Sequence, residues 1–305
     1  MKSKEKFGIV IVILCGIMWG LSGVLGQLLF RNTNVTVSHL VSIRMFFSGI
    51  FILFYVIIRE GKEAFKVWKL NNIISFLIFT IFGLTAVQYT YFAAINASNA
   101  ATATVLQYTY PILVLIYTSI HNKKKPENYE IISIFLAFIG VFLIATHGKI
   151  TSLSISTMAL ILGLLSALAF VFYTIYPKKL YEKLGMLQVM GWAFLLGSII
   201  LFIGTKSYEK NIDVNLYSIT LIAIITIFGT MVPFVIYGKG VKWLGAVKAS
   251  LFVTIEPVFS AILAFIFLNT KFAIIDIIGF ISIIVAIELT AMKTMKNNKC
   301  KKISD

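Results

Sequence analysis

The residues of this chain that could do chemistry stand singly inside long apolar runs, and Glu256 is the first of them. It lies about ten residues into its run, roughly 15 Å by helical rise, and Pro257 follows it directly. If that run crosses a bilayer, a carboxyl group at such depth is costly and marks a functional site by default. It could bind a substrate amine, or it could take up and release a coupling proton. The alternative is a structural acid that bonds to neighbouring helices beside the Pro257 break. Arg44 stands about seven residues from the end of another run. It could receive a carboxylate through two parallel N–H bonds, or it could be a packing arginine that pairs with another helix or snorkels outward. The two could also pair with each other.

Around them are weaker candidates. Gln88 and Gln107 lie near the middle of two adjacent runs, suited either to substrate contact or to amide bonds between helices. Trp19, Tyr89, Tyr108, Tyr173 and Tyr237 could line a pocket, although membrane aromatics mostly pack or sit at interfaces. Glu288 is four residues from the end of the last run, where water reaches it. Pro111, Pro233 and Pro257 each remove a helical hydrogen bond, and Pro111 and Pro257 are candidates for gating kinks. Gly16-x-x-x-Gly20 and Ser22-x-x-x-Gly26 permit close helix approach. No phosphate-binding loop is present, so ATP is not expected to drive the protein. The three histidines sit at run ends and no ligand set has metal spacing, so no cofactor or metal is expected.

The elements that must position these groups are membrane helices. Apolar residues make up 59% of the 305 residues and charged ones 13%, with a mean hydropathy of +0.94; a soluble domain carries about 25% charged residues. Runs long enough to cross about 30 Å of hydrocarbon recur at 7–30, 37–58, 72–94, 98–120, 129–147, 155–177, 187–205, 216–238, 246–268 and 272–292. The ten-residue alternation of a barrel is absent. The first run follows Lys2, Lys4 and Lys6 but is too long for a signal peptide, and is read as a retained helix. Cys15 and Cys300 give no disulfide framework. With the N-terminus inside, 21 of the 27 lysines and arginines fall on the inner side and five outside, Arg44 being within a span. That bias fits ten spans with both termini cytoplasmic. It also explains the net charge of +15 without a nucleic-acid partner.

A shift of 146 residues brings the chain onto itself in one ungapped register. Ile81-Phe82-Gly83 falls on Ile227-Phe228-Gly229, Tyr91 on Tyr237, Ala100 and Ala103 on Ala246 and Ala249, and Pro111 on Pro257. Each repeat holds five spans, an odd number, so the second runs inverted relative to the first. Inverted repeats are a recurrent plan of secondary transporters, which bind substrate near mid-membrane and work by alternating access. The expected fold is therefore an all-α integral membrane protein of ten transmembrane helices as two inverted five-helix repeats, 7–147 and 155–292, with a basic cytoplasmic tail at 293–305.

Ten spans, two five-helix repeats and a basic tail together resemble the EamA-type members of the drug/metabolite transporter superfamily. The local pattern Gly16-Ile17-Met18-Trp19-Gly20 and Arg44 resemble family features. So do Ala100-Ala101-Thr102-Ala103-Thr104 through Tyr110-Pro111 and Gly245-Ala246-Val247-Lys248-Ala249-Ser250 through Glu256-Pro257. Members often carry a Gly-Glu pair after the fourth and ninth spans. Here those places read His121-Asn122-Lys123 and Asn269-Thr270-Lys271, a departure that does not touch the fold. The resemblance implies transport, often export, of amino acids, other metabolites or toxic compounds. The favoured reading is a secondary transporter of a small organic metabolite, an amino acid or derivative, in the cytoplasmic membrane. Glu256 is its first candidate for H⁺ coupling. Its partners are the small-molecule substrate, membrane lipid and H⁺, and a homodimer is compatible with it. Metabolite uptake and multidrug efflux compete on the same scaffold. An intramembrane enzyme or lipid flippase would need a catalytic constellation or a lipid-open groove, and the sequence presents no such constellation.

Overall fold

The computed structural model describes residues 2–121, 123, 125, 127–148, 154–212, 214–244, 249 and 252–304. Among the described residues every regular element is a helix. In hydrocarbon an α-helix satisfies its own backbone, which leaves the bundle free to form from side-chain packing. The helices are α1 (Lys2–Asn32), α2 (Val37–Glu60), α3 (Leu70–Ile78), α4 (Ala86–Ala97), α5 (Ala100–Gln107), α6 (Tyr110–His121), α7 (Asn128–Thr146), α8 (Thr157–Ile175), α9 (Lys178–Leu184), α10 (Met186–Gly204), α11 (Leu216–Thr226), α12 (Val232–Leu244), α13 (Ile255–Leu268) and α14 (Ile274–Ser304).

Eight helical stretches are long and apolar enough to cross a membrane: Lys4–Asn32, Val37–Trp68, Leu70–Ala97, Ala100–His121, Asn128–Thr146, Thr157–Ile175, Met186–Gly204 and Leu216–Val241. They start within a few residues of the first eight expected runs. The ninth is represented by Ile255–Leu268, apolar but shorter. Of the signature segment at its start only Ala249 is described, and Gly245, Ala246, Val247, Lys248 and Ser250 lie outside the described residues. The tenth expected run falls within α14. Phenylalanines 46, 47, 51 and 54 on α2 and 135, 138 and 142 on α7 are exposed on the outside of the bundle, the arrangement suited to lipid as solvent.

The helices depart from regular α-helix in three ways, of which the sequence anticipated only the breaks near Pro111 and Pro257. The chain passes through π-helical turns at Phe79–Thr85, between α3 and α4, and at Ile227–Met231, between α11 and α12. Both contain an Ile-Phe-Gly triplet. In each, the threonine just before the triplet bonds back to the carbonyl four residues earlier, Thr80 to Phe76 at 2.8 Å and Thr226 to Ile222 at 2.7 Å, a habit that loosens the helical ladder. The third departure is a pair of breaks. The fourth run is interrupted at Tyr108 and Thr109, between α5 and α6, and the ninth at Thr254, just before α13. Each break precedes its proline by a few residues, because Pro111 and Pro257 have no N–H for the carbonyl four residues back.

In the packing, α2 lies along α10, α7 along α14, α1 against α12 and α13, and α8 against α4 and α5. The α2–α10 contact is the tightest at Gly49. A Cβ there would stand 2.6 Å from the backbone nitrogen of Leu195 and 2.9 Å from its Cα. Backbone atoms cannot turn aside as a side chain can, so Gly49→Ala should force the two helices apart. The expected cost is about 1–3 kcal/mol, read as a lower thermal midpoint in detergent. Gly204→Ala on α10, with nothing within 4 Å of the added carbon, should leave the midpoint unchanged.

Candidate functional site

Two buried ionisable side chains occupy the interior of the bundle, each held at an irregular point in a helix. The first is Glu256, in the opening turn of α13 and 6% exposed. Its Oε2 accepts a hydrogen bond from the Tyr108 hydroxyl at 2.9 Å, and the same hydroxyl lies 3.1 Å from the carbonyl of Val253. Val253 is four residues before Pro257, so the carbonyl that Pro257 leaves without its N–H is capped by Tyr108. Tyr108 itself stands in the break between α5 and α6. The two interrupted helices are therefore joined break to break.

The second is Arg44 on α2, 3% exposed. Its Nε donates to Thr230 Oγ1 at 2.9 Å and its Nη2 to the Gly229 carbonyl at 3.4 Å. Gly229 is four residues before Pro233, and both acceptors belong to the π turn at Ile227–Met231. The guanidinium carbon sits 4.4 Å from the centroid of the Phe92 ring, a favourable cation–π placement. Nη1 has no hydrogen-bond partner among the described residues. No carboxylate pairs with Arg44 among the described residues, so the pairing of Arg44 with Glu256 that the sequence allowed does not occur. Instead Tyr91 stands within electrostatic reach of both groups, its hydroxyl 2.8 Å from Thr104 Oγ1.

The other sequence candidates divide. Gln107 donates to Ser166 Oγ at 2.6 Å and so ties α5 to α8. Gln88 is buried, and among the described residues its amide has no bonded partner. Trp19 and Tyr237 come together, ring centroids 5.3 Å apart, with Phe234 5.6 Å from Trp19. The Tyr237 hydroxyl is within electrostatic reach of Glu256. Tyr173 belongs to a second aromatic row, Tyr108–Tyr110–Phe170–Tyr173–Phe79, with centroid spacings of 4.2 to 6.1 Å. Tyr89 packs into the main apolar core. Glu288 on α14 accepts from Thr254 Oγ1 at 2.7 Å, which places the last carboxylate of the membrane region against the break that precedes Glu256. Cys15 Sγ lies 3.6 Å from the Pro233 carbonyl.

α1 closes the group. Gly16 and Gly20 lie against the backbone of residues 253–260; an added Cβ would stand 3.1 Å from the Val253 oxygen and 3.0 Å from that of Glu256. The spacing read from sequence as a close-approach motif is thus the surface that seats Glu256. Tyr91, Thr104, Thr230, Ser166 and Phe170 were not picked out from sequence. Tyr91 carried a signal, its register with Tyr237. Thr230 carried only its place beside the second Ile-Phe-Gly triplet. A hollow of about 300 Å³ between α2 and α10, lined by Ser42, Phe46, Phe47, Ser198, Ile199 and Phe202 among others, opens on the outer face of the bundle and touches none of these groups.

A buried acid, a buried base and aromatic rings thus share the interior of the bundle. The model of the EamA-like transporter family matches residues 6–146 and again residues 157–292. The uncharacterized inner membrane transporter YicL of Salmonella typhimurium is 32% identical over 297 residues, 97% of this chain and 98% of its own. The uncharacterized transporter YyaM of Bacillus subtilis is 24% identical over 245 residues, 78% and 79% of the two chains. A crystal structure of another protein shares the fold, with a TM-score of 0.63 at 12% identity over 96% of this chain and 98% of that one. Two family matches that fill the sequence, and a full-length relative, make this chain a member of the EamA-like transporter family.

Proposed function

We propose that this protein exports a small zwitterionic metabolite, an amino acid or a close derivative, across the cytoplasmic membrane in exchange for H⁺. The observation that carries this reading is the pair of buried, opposite and mutually unpaired groups, Arg44 bonded to the π turn at Ile227–Met231 and Glu256 beside the break before α13. Arg44 receives the substrate carboxylate through its free Nη1. Glu256 takes the ammonium group in one state and a proton in the other, so that cargo and H⁺ occupy the same carboxylate in turn. Trp19, Tyr237, Tyr108, Tyr173 and Gln88 form the wall, and the breaks before Pro111 and Pro257 act as the gates.

The proposed scaffold is ten spans in two inverted halves, 7–147 and 155–292, with both termini cytoplasmic, α13 and α14 supplying the last two spans. It is supported by regularities that the 146-residue shift interchanges. The shift carries the first π turn onto the second and the Tyr108 break onto Thr254. It also exchanges α2 with α10 and α7 with α14, the members of two packed pairs. The printed name of the Salmonella relative, an inner membrane transporter, supports the location.

Proteoliposomes under an imposed pH gradient test the coupling. Challenged with a panel of amino acids, the wild type should move protons with at least one compound, and Glu256→Gln should reduce that flux to the level of empty vesicles. Substrate-driven proton flux that is equal in the two proteins would make Glu256 a structural acid. Arg44 has its own test. Arg44→Gln should raise the KM for the transported amino acid about tenfold or more, the worth of a hydrogen bond to a charged group. Arg44→Lys should recover little, because a single ammonium does not reproduce the planar fork. Transport of the corresponding amine lacking the carboxylate should be the same in wild type and Arg44→Gln. An equal loss for both compounds would show that Arg44 holds the helices and not the cargo.

A further inference from the structure

Far from Arg44 and Glu256, where the α2 region meets α3 and α9, Lys66, Lys69, Asn71, Asn72, Lys183 and Leu184 line a hollow of about 300 Å³. Three of the six lining residues are cationic and none is acidic. The charges are only partly answered. Lys66 pairs with Glu63 in the turn of Gly61–Trp68. Lys183 Nζ donates at 2.7 Å to the neutral Oδ1 of Asn72, whose Nδ2 is in turn spent on the Lys66 carbonyl at 2.9 Å. Asn72 is buried, so it holds Lys183 in place without neutralising it. Among the described residues the Lys69 side chain makes no ion pair and no hydrogen bond. Lys69 and Lys183 therefore share one hollow whose lining, among the described residues, holds no carboxylate.

The surroundings set the kind of ligand. Phe65, Trp68, Leu70 and Ile74 are exposed around the hollow, Leu70 at 88%. Leu70 and Ile74 are one helical turn apart and share a face of α3. Trp68 packs edge-on to Trp192 at 5.1 Å, and Trp192 Nε1 donates to the Ala64 carbonyl at 2.7 Å, which fixes the Gly61–Trp68 turn against α10. Tryptophan beside lysine at the end of a span is the composition of the headgroup level of a bilayer. A soluble anion would need no exposed apolar strip below its site, but a lipid would.

We infer that this hollow binds the phosphate of an anionic membrane lipid. Lys69 and Lys183 contact the phosphate and Asn71 borders the headgroup. The acyl chains run along Leu70 and Ile74. Basic pockets between membrane helices hold lipid headgroups in this way. The site is separate from the transport site, and the inference does not depend on what is carried.

The test is native mass spectrometry of the full-length chain, stripped of lipid and re-equilibrated with phosphatidylglycerol or phosphatidylcholine. Wild type should retain one phosphatidylglycerol in preference to phosphatidylcholine. Lys69→Gln removes a side chain that bonds to nothing, so it should fold normally and retain that lipid about fivefold less well; Lys69→Gln/Lys183→Gln should lose about as much again. Lys178→Gln/Lys179→Gln, on α9 but outside the hollow, should retain it as wild type does. Equal retention by wild type and Lys69→Gln would overturn the inference, as would equal retention of the two lipids. Displacement of the lipid by millimolar glycerol phosphate would show that the site takes a soluble phosphate instead.

Discussion

Hydrocarbon offers no hydrogen bond, so any backbone carbonyl that loses its helical N–H must find another donor inside the protein. Three prolines within the membrane region create that demand, and in two cases the donor is a side chain of functional interest. Pro257 frees the Val253 carbonyl, which Tyr108 caps at 3.1 Å. Pro233 cannot serve the Gly229 carbonyl, which Arg44 approaches at 3.4 Å. Each proline thus opens a helix and draws a polar group to the opening. The polar interior is concentrated at the breaks for this reason, and the uninterrupted faces of α2 and α7 present phenylalanine to the outside.

Burying two opposite charges without pairing them is expensive, since each gives up water and neither recovers it from the other. The bundle limits the cost by local means. Arg44 lies on the Phe92 ring and spends Nε and Nη2 on the π turn; Glu256 takes the Tyr108 hydroxyl. Among the described residues no hydrogen bond is found at Nη1 of Arg44 or at the second carboxyl oxygen of Glu256. In the proposed cycle these are the atoms a zwitterion would satisfy, so the unmet electrostatics of the closed bundle and the chemistry of the cargo are the same quantity.

The helices were legible because composition forces them. A run of twenty apolar residues has one stable form in a membrane, and the first eight runs reappear as spans that start within a few residues of their expected places. Glu256 and Arg44 were legible for the same reason, as rare charges in such runs. Their separation was not, because helix rotation decides it and an almost uniformly apolar span carries too little periodicity to set rotation. The π turns were hidden more deeply. They depend on Thr80 and Thr226 bonding to their own helices, and nothing in the residue types distinguishes that choice from ordinary helix. Gln107 shows the same limit: a mid-span amide suits either a substrate contact or a bond between helices, and here its Nε2 donates to Ser166.

α1 is the element that the second π turn and the break before α13 share. Gly16 and Gly20 seat the backbone around Glu256, Ser22 lies against Gly229, Gly23 lies against the Tyr91 hydroxyl, and Cys15 reaches the Pro233 carbonyl. The Gly16 and Gly20 contacts are against backbone and have little slack, so α1 cannot shift relative to α13 without disturbing the turn that holds Glu256. Packed interiors of this density switch between discrete arrangements and do not deform gradually. A movement of α1 that accompanies alternating access would therefore alter both charged groups in one step. It would change the Arg44 environment through Gly229 and the Glu256 environment through residues 253–260. Coupling between cargo and proton then needs no chain of intermediates, because one rigid helix already touches the backbone on which each group rests.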